Sequence, residues 1–405
     1  MINIKTAQQL IADQVHPITE TEEISFRDAM GRVLSSDIES PCQHPHFDNS
    51  AMDGYAVRAD DTTGASESTP CTLDIIGEVR AGQAGELEVQ SGQAVRIMTG
   101  AATPEGADAI VMVERTKETD DQRVEIYAEA KRQDHLRFAG EDVATGQTVL
   151  KANTVIRPFE IGMFATLGID PVPVYRKPVV ALLTTGDEIL SDITETLPPG
   201  MIRDSVYPML QTSLANVGIT PHYPGTARDT APLLQDKIAG LLALKPDVLM
   251  LSGGVSKGKY DLVKNTLHGF NFNEIFHKVR IKPGKPLLFG TIDNTLVFGL
   301  PGNPVSSLTS FHVFVKPVVL QLMHKPAAGR HIPATLSQEY IKKGDRTHIV
   351  RVYYETQNGV TTAQPLYKQG SAMVSSLTDA NGYIVVDADT PSVQKGADVT
   401  VIPFD

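Results

Sequence analysis

The stretch Leu296-Val297-Phe298-Gly299-Leu300-Pro301-Gly302-Asn303-Pro304-Val305-Ser306 decides how the centre of this chain folds. Its first three residues have the β-branched and aromatic character of a short buried strand. After the Pro and Gly residues, apolar side chains recur at helical spacing, at Leu308, Phe311, Val315 and Val319. The sequence therefore predicts a strand, a tight turn and a helix in direct succession.

This turn lies where open α/β sheets bind their ligands. Ligands occupy the crevice at the carboxyl ends of the strands, and the free N–H groups of a following helix attract anions. A rigid connection without a ligand explains the same residues equally well, because Gly and Pro occur in the turns of every fold. Both interpretations stay open on this stretch alone.

Length and charge restrict the class of protein. At 405 residues the chain exceeds one ordinary core, so two to four domains are expected from roughly 100 to 200 residues each. The formal net charge of −12 argues against broad binding of nucleic acid or of an acidic membrane, because both require a large basic surface. The two cysteines, Cys42 and Cys71, give neither a disulfide framework nor a four-thiolate metal site.

We expect a soluble, cytoplasmic protein. No apolar run approaches the ~20 residues of a membrane span. The amino terminus, with Asp13 and Glu20 close by, lacks a basic region followed by an apolar one. The low cysteine content agrees with a reducing compartment.

The pattern of apolar residues changes along the chain and predicts an α/β multidomain protein. Apolar stripes at residues 10, 11 and 15 and at residues 29, 33 and 34 predict two helices near the amino terminus. Alternating strands and helices in the centre predict a mostly parallel sheet covered on both faces. Four domains are expected: a helical and linker domain at 1–44 and 143–176, an inserted β-rich domain at 45–142, the α/β domain at 177–326, and an all-β, barrel-like domain at 327–405.

Polar turns follow the strands of the α/β segment. In Thr184-Thr185-Gly186-Asp187-Glu188, adjacent carboxylates can hold a divalent cation, although a helix cap at Asp187 is equally consistent. In Ser252-Gly253-Gly254-Val255-Ser256, paired glycines and flanking hydroxyls favour a backbone nest for phosphate over a plain Gly turn. Lys257 and Lys259 add positive charge there.

A basic group around Pro283-Gly284 stands out in this acidic chain. Alternate residues of an extended segment share a face, so Lys278, Arg280 and Lys282 are expected to project toward one anion. An edge strand protected by lysines is the alternative. Asp204 and Asp229 each precede an expected helix, and helix capping explains both.

Seven segments, taken in order, strongly resemble those of the molybdopterin molybdenumtransferases, the MoeA family, over essentially the whole length. They are Asp48-Asn49-Ser50-Ala51-Met52-Asp53-Gly54-Tyr55-Ala56-Val57, Arg96-Ile97-Met98-Thr99-Gly100-Ala101, Gly140-Glu141-Asp142, Thr185-Gly186-Asp187-Glu188, Ser252-Gly253-Gly254-Val255-Ser256, Lys282-Pro283-Gly284-Lys285-Pro286 and Leu300-Pro301-Gly302-Asn303-Pro304-Val305-Ser306. The resemblance implies insertion of molybdate into the dithiolene of adenylylated molybdopterin, with release of AMP and with Mg²⁺ present. It also implies a four-domain chain, with a molybdopterin-binding α/β domain, in a homodimer whose active site is shared between subunits.

The resemblance also implies roles for particular residues. Glu188, Asp229 and Asp261 would position Mg²⁺ and the nucleotide phosphates, while Lys278 and Lys282 would stabilise the charge of molybdate or pyrophosphate. Asp53, Thr99 and Asp142 would reach the α/β cleft across the dimer interface. Further substrate contacts would come from Thr185, Gly186, Ser252, Gly253, Gly254, Ser256, Pro301, Gly302, Asn303, Pro304, Arg351 and Ser371. Two positions depart from the family pattern: Val206 replaces a frequent Asn, and Lys257 replaces a small apolar residue.

Two related functions compete with this interpretation. The molybdopterin adenylyltransferases share the α/β domain, and a gephyrin-like scaffold uses the same module to bind receptor tails without catalysis. Residues 1–176 and 327–405 favour insertion, because the adenylyltransferases can consist of the α/β domain alone. The expected partners are a second copy of the chain, the adenylyltransferase and molybdoenzyme apoproteins, with no nucleic acid and no membrane.

Overall fold

A computed structural model of the chain describes residues 1–83, 86–120, 122–254, 262–327 and 329–404. These residues divide into two compact units. Unit 1 comprises Met1–Glu22, Gly31–Val33 and Tyr175–Asp405, and unit 2 comprises Glu23–Met30 and Leu34–Val174. The amino-terminal helix thus belongs to the unit that contains the α/β sheet.

The helices and strands have the following bounds. The helices are α1 (Ile4–Ala12), α2 (Pro158–Leu167), α3 (Val206–Ala215), α4 (Ala231–Leu242), α5 (Leu262–His268), α6 (Pro304–Ser310), α7 (Lys316–Leu322) and α8 (Ser375–Thr378), with a π-helical turn at Phe311–Val315 and 3₁₀ turns at Phe26–Asp28, Ala59–Thr62 and Val113–Arg115. The strands are β1 (Thr21–Ile24), β2 (Ile38–Glu39), β3 (Asn49–Ser50), β4 (Gly54–Val57), β5 (Cys71–Val79), β6 (Gln93–Ile97), β7 (Ala109–Met112), β8 (Thr116–Asp120), β9 (Arg123–Ile126), β10 (Leu136–Arg137), β11 (Thr148–Leu150), β12 (Val172–Tyr175), β13 (Val180–Thr184), β14 (Ile189–Leu190), β15 (Ile202–Arg203), β16 (Val248–Ser252), β17 (Asn273–His277), β18 (Ile281–Lys282), β19 (Leu288–Ile292), β20 (Thr295–Leu300), β21 (Ile332–Leu336), β22 (Tyr340–Ile341), β23 (Thr347–Gln357), β24 (Val360–Pro365), β25 (Gly382–Val386), β26 (Ser392–Val393) and β27 (Asp398–Pro403).

The α/β sheet of unit 1 has the strand order β13-β16-β20-β19-β17. β13, β16 and β20 run parallel, and β19 and β17 are antiparallel. Alternate strand residues face opposite sides: Leu182 and Phe298 pack with α3 and the π-helical turn, whereas Leu183 and Val297 pack with α4 and α5. The prediction of a mostly parallel sheet with two covered faces is confirmed.

The amino terminus holds one α-helix instead of the two expected. α1 is capped by Asn3, whose Oδ1 accepts the Thr6 N–H at 2.8 Å, and Ile11 is buried in the core of unit 1. The helix expected around residues 29–34 is wrong, because a 3₁₀ turn ends at Asp28 and Gly31 has φ +72°. The apolar stripe there reflects buried turn residues, which periodicity alone cannot separate from a helix.

The helical segment Pro304–Leu322 is 19 residues long and apolar enough to cross a membrane. The expectation that no apolar stretch approaches the length of a membrane span is therefore wrong. About two thirds of this segment is buried inside the protein, with Phe311 and Val319 in the core of unit 1. A helix that is apolar all round is typical of a protein core as well as of a membrane.

Unit 2 contains a six-stranded sheet with the order β7-β4-β6-β5-β9-β8. β4 has buried residues on both faces: Tyr55 and Val57 join one apolar cluster, and Ala56 joins the other together with Val95. α2 packs separately, with Phe164 in a third cluster. This unit is the β-rich part of the amino-terminal half.

The carboxyl-terminal segment of unit 1 forms a second sheet with the order β18-β23-β24-β21-β27-β25. An additional pairing between β23 and β25 closes five of these strands into a small barrel. Its interior is apolar and includes Leu336, Val350, Ala363 and Val401. The α/β multidomain class with a barrel-like carboxyl-terminal domain is therefore confirmed.

Candidate active site

Three loops leave the α/β sheet at the same level. Thr184, Ser252 and Leu300 are paired across β13, β16 and β20, so the residues that follow them emerge side by side. The Thr185 N–H donates to the Ser252 carbonyl at 2.8 Å, and the Gly253 N–H donates to the Leu300 carbonyl at 3.2 Å. Segments far apart in the sequence thus meet at one edge of the sheet.

Glycine is required where these loops touch. Gly253 has φ +102°, and a Cβ on it would lie 2.3 Å from the Thr185 carbonyl oxygen. A Cβ on Gly302 would lie 3.5 Å from the Gly253 Cα. The backbones of the loops are thus in close contact, which a side chain at Gly253 would prevent.

Ser252 is buried and holds the Pro301 turn against the end of β16. It is 2% exposed, and its hydroxyl donates to the Pro301 carbonyl at 3.2 Å and lies 3.4 Å from the Ser307 hydroxyl. This corrects the expectation of a ligand-facing Ser252 side chain, because its hydroxyl is already engaged with the Pro301 turn.

The turn also contacts the carboxyl-terminal segment of unit 1. The Asn303 amide donates to the Ser371 hydroxyl at 3.3 Å, and the Val305 N–H donates to the Ser371 carbonyl at 3.2 Å. Pro304 occupies the first turn of α6, where its missing N–H costs no hydrogen bond. The structure therefore places Ser371 beside the Pro301-Gly302-Asn303-Pro304 turn.

Carboxylates gather beside the first of the three loops. Asp187 Oδ1 accepts the Asp229 N–H at 3.1 Å, and a Cβ on Gly186 would lie 2.7 Å from Glu188 Oε2, so the Glu188 carboxylate folds back over Gly186. The helix cap suggested for Asp187 is wrong, because β14 and not a helix follows it. Asp229 is not a side-chain cap either, since α4 begins after Thr230 without one.

Asp229 is the most perturbed carboxylate of this group. Burial raises its pKa above the ordinary value, and the charges of Asp187 and Glu188 raise it further, while the nearby Thr185 hydroxyl opposes the shift. Within the described residues, Asp229 Oδ1 and Thr185 Oγ1 are both buried without a hydrogen bond of normal geometry. A buried carboxylate in a cluster of negative charge is favourable for binding a cation.

The described residues contain no group of three or more His, Cys, Asp or Glu side chains arranged to hold a metal ion. Asp261 and Ser256, with Lys257 and Lys259, lie outside the described residues. Magnesium usually takes only one or two protein carboxylates and completes its shell with water and substrate phosphates. Glu188 and the free oxygen of Asp229 fit that requirement.

The basic segment departs from the expected extended strand. Lys278 has φ +77°, which breaks the alternation, and the Arg280 guanidinium donates to the Asp345 carbonyl at 2.8 Å and to its carboxylate at 3.3 Å. The expectation that Lys278, Arg280 and Lys282 share one face is therefore wrong. Lys278 and Lys282 are half-buried.

Arg351 is a buried cation without a carboxylate partner among the described residues. It is 1% exposed, and its Nη2 donates to the carbonyls of Lys368 and Gly370 at 3.0 and 3.3 Å, leaving Nε and Nη1 unpartnered. Burial lowers the pKa of this guanidinium to about 10. The arrangement favours an anionic ligand near Arg351.

Sequence analysis missed His348, which lies next to Lys282 in the pairing of β18 with β23. His348 is 3% exposed, and its Nδ1 lies 2.8 Å from the Tyr340 hydroxyl. Burial, together with the charges of Lys282, Lys342 and Arg346, lowers its pKa to about 4. The available signal was a histidine next to the β-branched residues of a strand-like segment at 347–352.

In unit 2 the structure brings Asp53 and Thr99 together. Asp53 Oδ1 accepts the Thr99 N–H at 2.7 Å and its hydroxyl at 2.8 Å. These two hydrogen bonds, the backbone one first, hold the pKa of Asp53 below its ordinary range. Asp142 is exposed, and its backbone N–H donates to the His44 carbonyl at 3.1 Å.

Comparison with known proteins covers nearly the entire chain. The molybdopterin molybdenumtransferase of Bacillus subtilis is 35% identical over 389 residues, which cover 95% of this chain and 90% of the relative. The enzyme of the same name from Haemophilus influenzae is 33% identical over 414 residues, covering 100% and 99%. The chain belongs to the MoeA family.

The MoeA family models divide the sequence in order. The MoeA N-terminal region (domain I and II) matches residues 2–168, the probable molybdopterin binding domain matches 181–321, and the MoeA C-terminal region (domain IV) matches 333–404. Two crystal structures of the MoeA protein from Pyrococcus horikoshii have TM-scores of 0.84 and 0.80 at 31% and 30% identity, with 100% of this chain covered and 99% and 100% of theirs. The family suggested by the seven segments is confirmed.

One departure from the MoeA pattern has a structural explanation. Val206 is buried at the start of α3, and its N–H donates to Asp204 Oδ1 at 2.9 Å. Asp204 also accepts the Tyr207 N–H at 3.0 Å, so the capping interpretation of Asp204 is confirmed. Lys257, the second departure, lies outside the described residues.

Proposed function

We propose that this chain inserts molybdenum into adenylylated molybdopterin, using molybdate and releasing AMP. The observation that carries the proposal is the buried Asp229 carboxylate, which lies near Asp187, Glu188 and the three aligned strand ends in a chain of the MoeA family. Relatives at 33–35% identity carry the name molybdopterin molybdenumtransferase. The reaction belongs to molybdenum cofactor biosynthesis, and we assign the chain to the cytoplasm.

The nucleotide phosphates bind at the edge of the parallel sheet. The Gly253-Gly254 loop lies at this edge, and a Cβ on Gly254 would lie 2.6 Å from a Val263 methyl group, which leaves room for glycine alone. Glu188 and Asp229, with Asp261, would hold Mg²⁺. When bound, the ion supplies positive charge to the phosphate oxygens of the anhydride that breaks.

Molybdate binds on the basic side of the site. A tetrahedral dianion requires positive charge around it, and Lys278 and Lys282 provide that charge, while Arg351 adds charge from its buried position. His348 stays neutral beside Lys282 because burial lowers its pKa to about 4. Ser371 offers a hydroxyl at the Pro301 turn.

The reaction requires both anions to meet in one place. Once molybdate is bound, water cleaves the phosphoanhydride between the adenylyl group and the molybdopterin phosphate, so AMP leaves only when molybdate is present. The two dithiolene thiols lose their protons as their sulfurs bind molybdenum, and one molybdate oxygen takes both protons and departs as water. The negative charge that develops on the departing phosphate would be neutralised by the cation that Asp229 and Glu188 would hold, so loss of the Asp229 carboxylate removes AMP release.

Molybdate-dependent release of AMP from adenylylated molybdopterin tests this proposal. We expect Asp229→Asn to lower the rate at least 100-fold, and Asp236→Asn on the exposed face of α4 to leave it unchanged. Release of AMP without molybdate dependence, or full activity of Asp229→Asn, would contradict the proposed mechanism. Formation of adenylylated molybdopterin from ATP would indicate the adenylyltransferase, and binding without turnover would indicate a scaffold.

We further propose a homodimer in which Asp53, Thr99 and Asp142 of one copy complete the site of the other. Asp53 supports this role because Thr99 keeps it ionised and fixed in direction. Mixing two inactive variants, Asp53→Asn and Asp229→Asn, would give heterodimers with one intact site and recover about one quarter of the activity. No recovery after subunit exchange would refute a shared site.

The same proposal assigns two transient partners. The molybdopterin adenylyltransferase supplies the adenylylated substrate, and molybdoenzyme apoproteins accept the finished cofactor. Both contacts can be measured with the full chain by surface plasmon resonance. Absence of binding to either protein, with activity intact, would mean that substrate and product diffuse freely.

A further inference from the structure

The hydroxyl of Thr226 lies at the centre of a polar cluster behind the carboxylates. It is 2.7 Å from the Ser191 hydroxyl, 3.0 Å from the Thr184 hydroxyl and 3.0 Å from the Tyr223 hydroxyl. Asp204 Oδ2 lies 3.4 Å from Thr226 and 3.1 Å from Thr184. We name these five residues the Thr226 cluster.

Three members of the Thr226 cluster lie close in sequence to three residues assigned to the site. Thr184 precedes Thr185, Ser191 follows Glu188 by three residues, and Thr226 precedes Asp229 by three residues. The cluster therefore joins the strand end, the loop and the segment that carry the proposed ligands. Displacing one of these three segments changes the spacing of the carboxylates.

Backbone hydrogen bonds join the segment of Thr226 to the loop that carries Asp187 and Glu188. The Ala227 N–H donates to the Thr184 carbonyl at 2.8 Å, and the Gly186 N–H donates to the Ala227 carbonyl at 3.1 Å. Two residues later, the Asp229 N–H donates to Asp187 Oδ1 at 3.1 Å. Thr226 and Asp229 thus lie on one segment that runs beside β13.

The cluster is anchored to the rest of the α/β sheet. Asp204 uses Oδ1 to cap α3 and Oδ2 to accept from Thr184. The rings of Tyr207 and Tyr223 are stacked with centroids 3.6 Å apart. A cluster held by a helix cap and by a ring stack has little freedom to rearrange.

We infer that Thr226 is a positioning residue, which sets the distance between Asp229 and Glu188 at which a divalent cation binds. This inference rests on the proposed function, because that proposal assigns the cation to these carboxylates. Metal ligands are oriented by the groups that hold them, and loss of such a group typically weakens metal binding 10- to 100-fold. Thr226 acts on the ligands through the backbone and does not touch the ion.

Thr226→Val keeps the shape of the side chain and removes the hydroxyl, whereas Thr226→Ser keeps the hydroxyl. We expect Thr226→Val to raise the dissociation constant for Mn²⁺ about ten-fold, measured with AMP present by the loss of the free-Mn²⁺ electron paramagnetic resonance signal. Thr226→Ser should stay within about two-fold of the unchanged protein. In the AMP-release assay, half-saturating Mg²⁺ should rise similarly, while kcat at saturating Mg²⁺ changes less than about two-fold.

Two further variants keep the test decisive. Thr212→Val removes an exposed hydroxyl that bonds to the α3 carbonyls of Pro208 and Met209, so Mn²⁺ binding should not change. Ser191→Ala removes an exposed member of the cluster and should weaken Mn²⁺ binding about three-fold even if Thr226→Val does not fold.

The outcomes separate the two proposals. Unchanged Mn²⁺ binding in Thr226→Val and Ser191→Ala, together with lost binding in Asp229→Asn, would overturn the role of Thr226 alone. Equal weakening by Thr226→Ser and Thr226→Val would also overturn it, because the hydroxyl would then be irrelevant. No Mn²⁺ binding by the unchanged protein would overturn the proposed metal site and the positioning role together.

Discussion

Replacing Gly253 by alanine tests the contact between the strand-end loops. The new Cβ would lie 2.3 Å from the Thr185 carbonyl oxygen, and the residue would have to keep φ +102°. A non-glycine residue in such a conformation costs about 1–3 kcal/mol, and shifting a packed backbone costs about as much again. The two costs together are about 2–6 kcal/mol, and we expect Gly253→Ala to destabilise unit 1 by about 4 kcal/mol, the middle of this range.

Differential scanning calorimetry measures this effect. For a unit of this size each kcal/mol lowers the thermal midpoint by about 2–4 °C, so a fall of about 8–16 °C is expected. The matched control is Gly240→Ala in α4, where a Cβ has no neighbour within 4 Å and where alanine favours the helix by up to about 1 kcal/mol. A midpoint for Gly253→Ala equal to that of the unchanged protein would refute the close approach of the loops.

Three further predictions concern charge and packing. Burial raises the pKa of Asp229, so the ionised carboxylate lowers the stability of the folded protein above that raised pKa, and this loss of stability disappears as pH falls toward 3.8. Asp229→Asn should therefore raise the thermal midpoint at pH 7, and the increase in the midpoint should be smaller at pH 4. His312 packs against Phe404 with ring centroids 5.2 Å apart, and burial lowers the pKa of His312 from 6.5 to about 4. The protein should therefore lose stability as pH falls from 6.5 to 4. In urea titrations at these two pH values, His312→Phe should remove up to about 3 kcal/mol of that loss. Phe298→Ala should lower the free energy of unfolding by about 3–5 kcal/mol, because Phe298 is fully buried against Phe289 at 4.9 Å, whereas Tyr367→Ala at a fully exposed position should change it by less than about 0.5 kcal/mol.

Local patterns predicted much of the α/β unit. The apolar run 296–298 became the buried strand β20, and the helical spacing after Pro304 became the helical segment that ends at Leu322. Periodicity works there because a strand buried on both faces and a long core helix both leave a strong local signal. At residues 29–34 the same rule failed, because the backbone at Gly31 has φ +72°, which is not a helical conformation.

The seven polar segments, read in order, were enough to identify the family. Their spacing in the sequence reflects loops that follow particular strands, and strand ends are where α/β sheets bind ligands. Sequence could not distinguish side chains that face a ligand from those that hold a loop. Ser252 belongs to the second kind, because its hydroxyl is buried against Pro301.

Burial and long-range contact decided the rest. The sequence by itself determined that strands, Gly turns and carboxylates occur in the right order, because these depend on neighbouring residues. Only the tertiary structure showed that Asp229 is buried near Asp187 and Glu188, that Arg280 is engaged with Asp345, and that His348 lies beside Lys282. These properties depend on partners that β-sheet pairing and packing bring together from distant positions, so no local pattern encodes them.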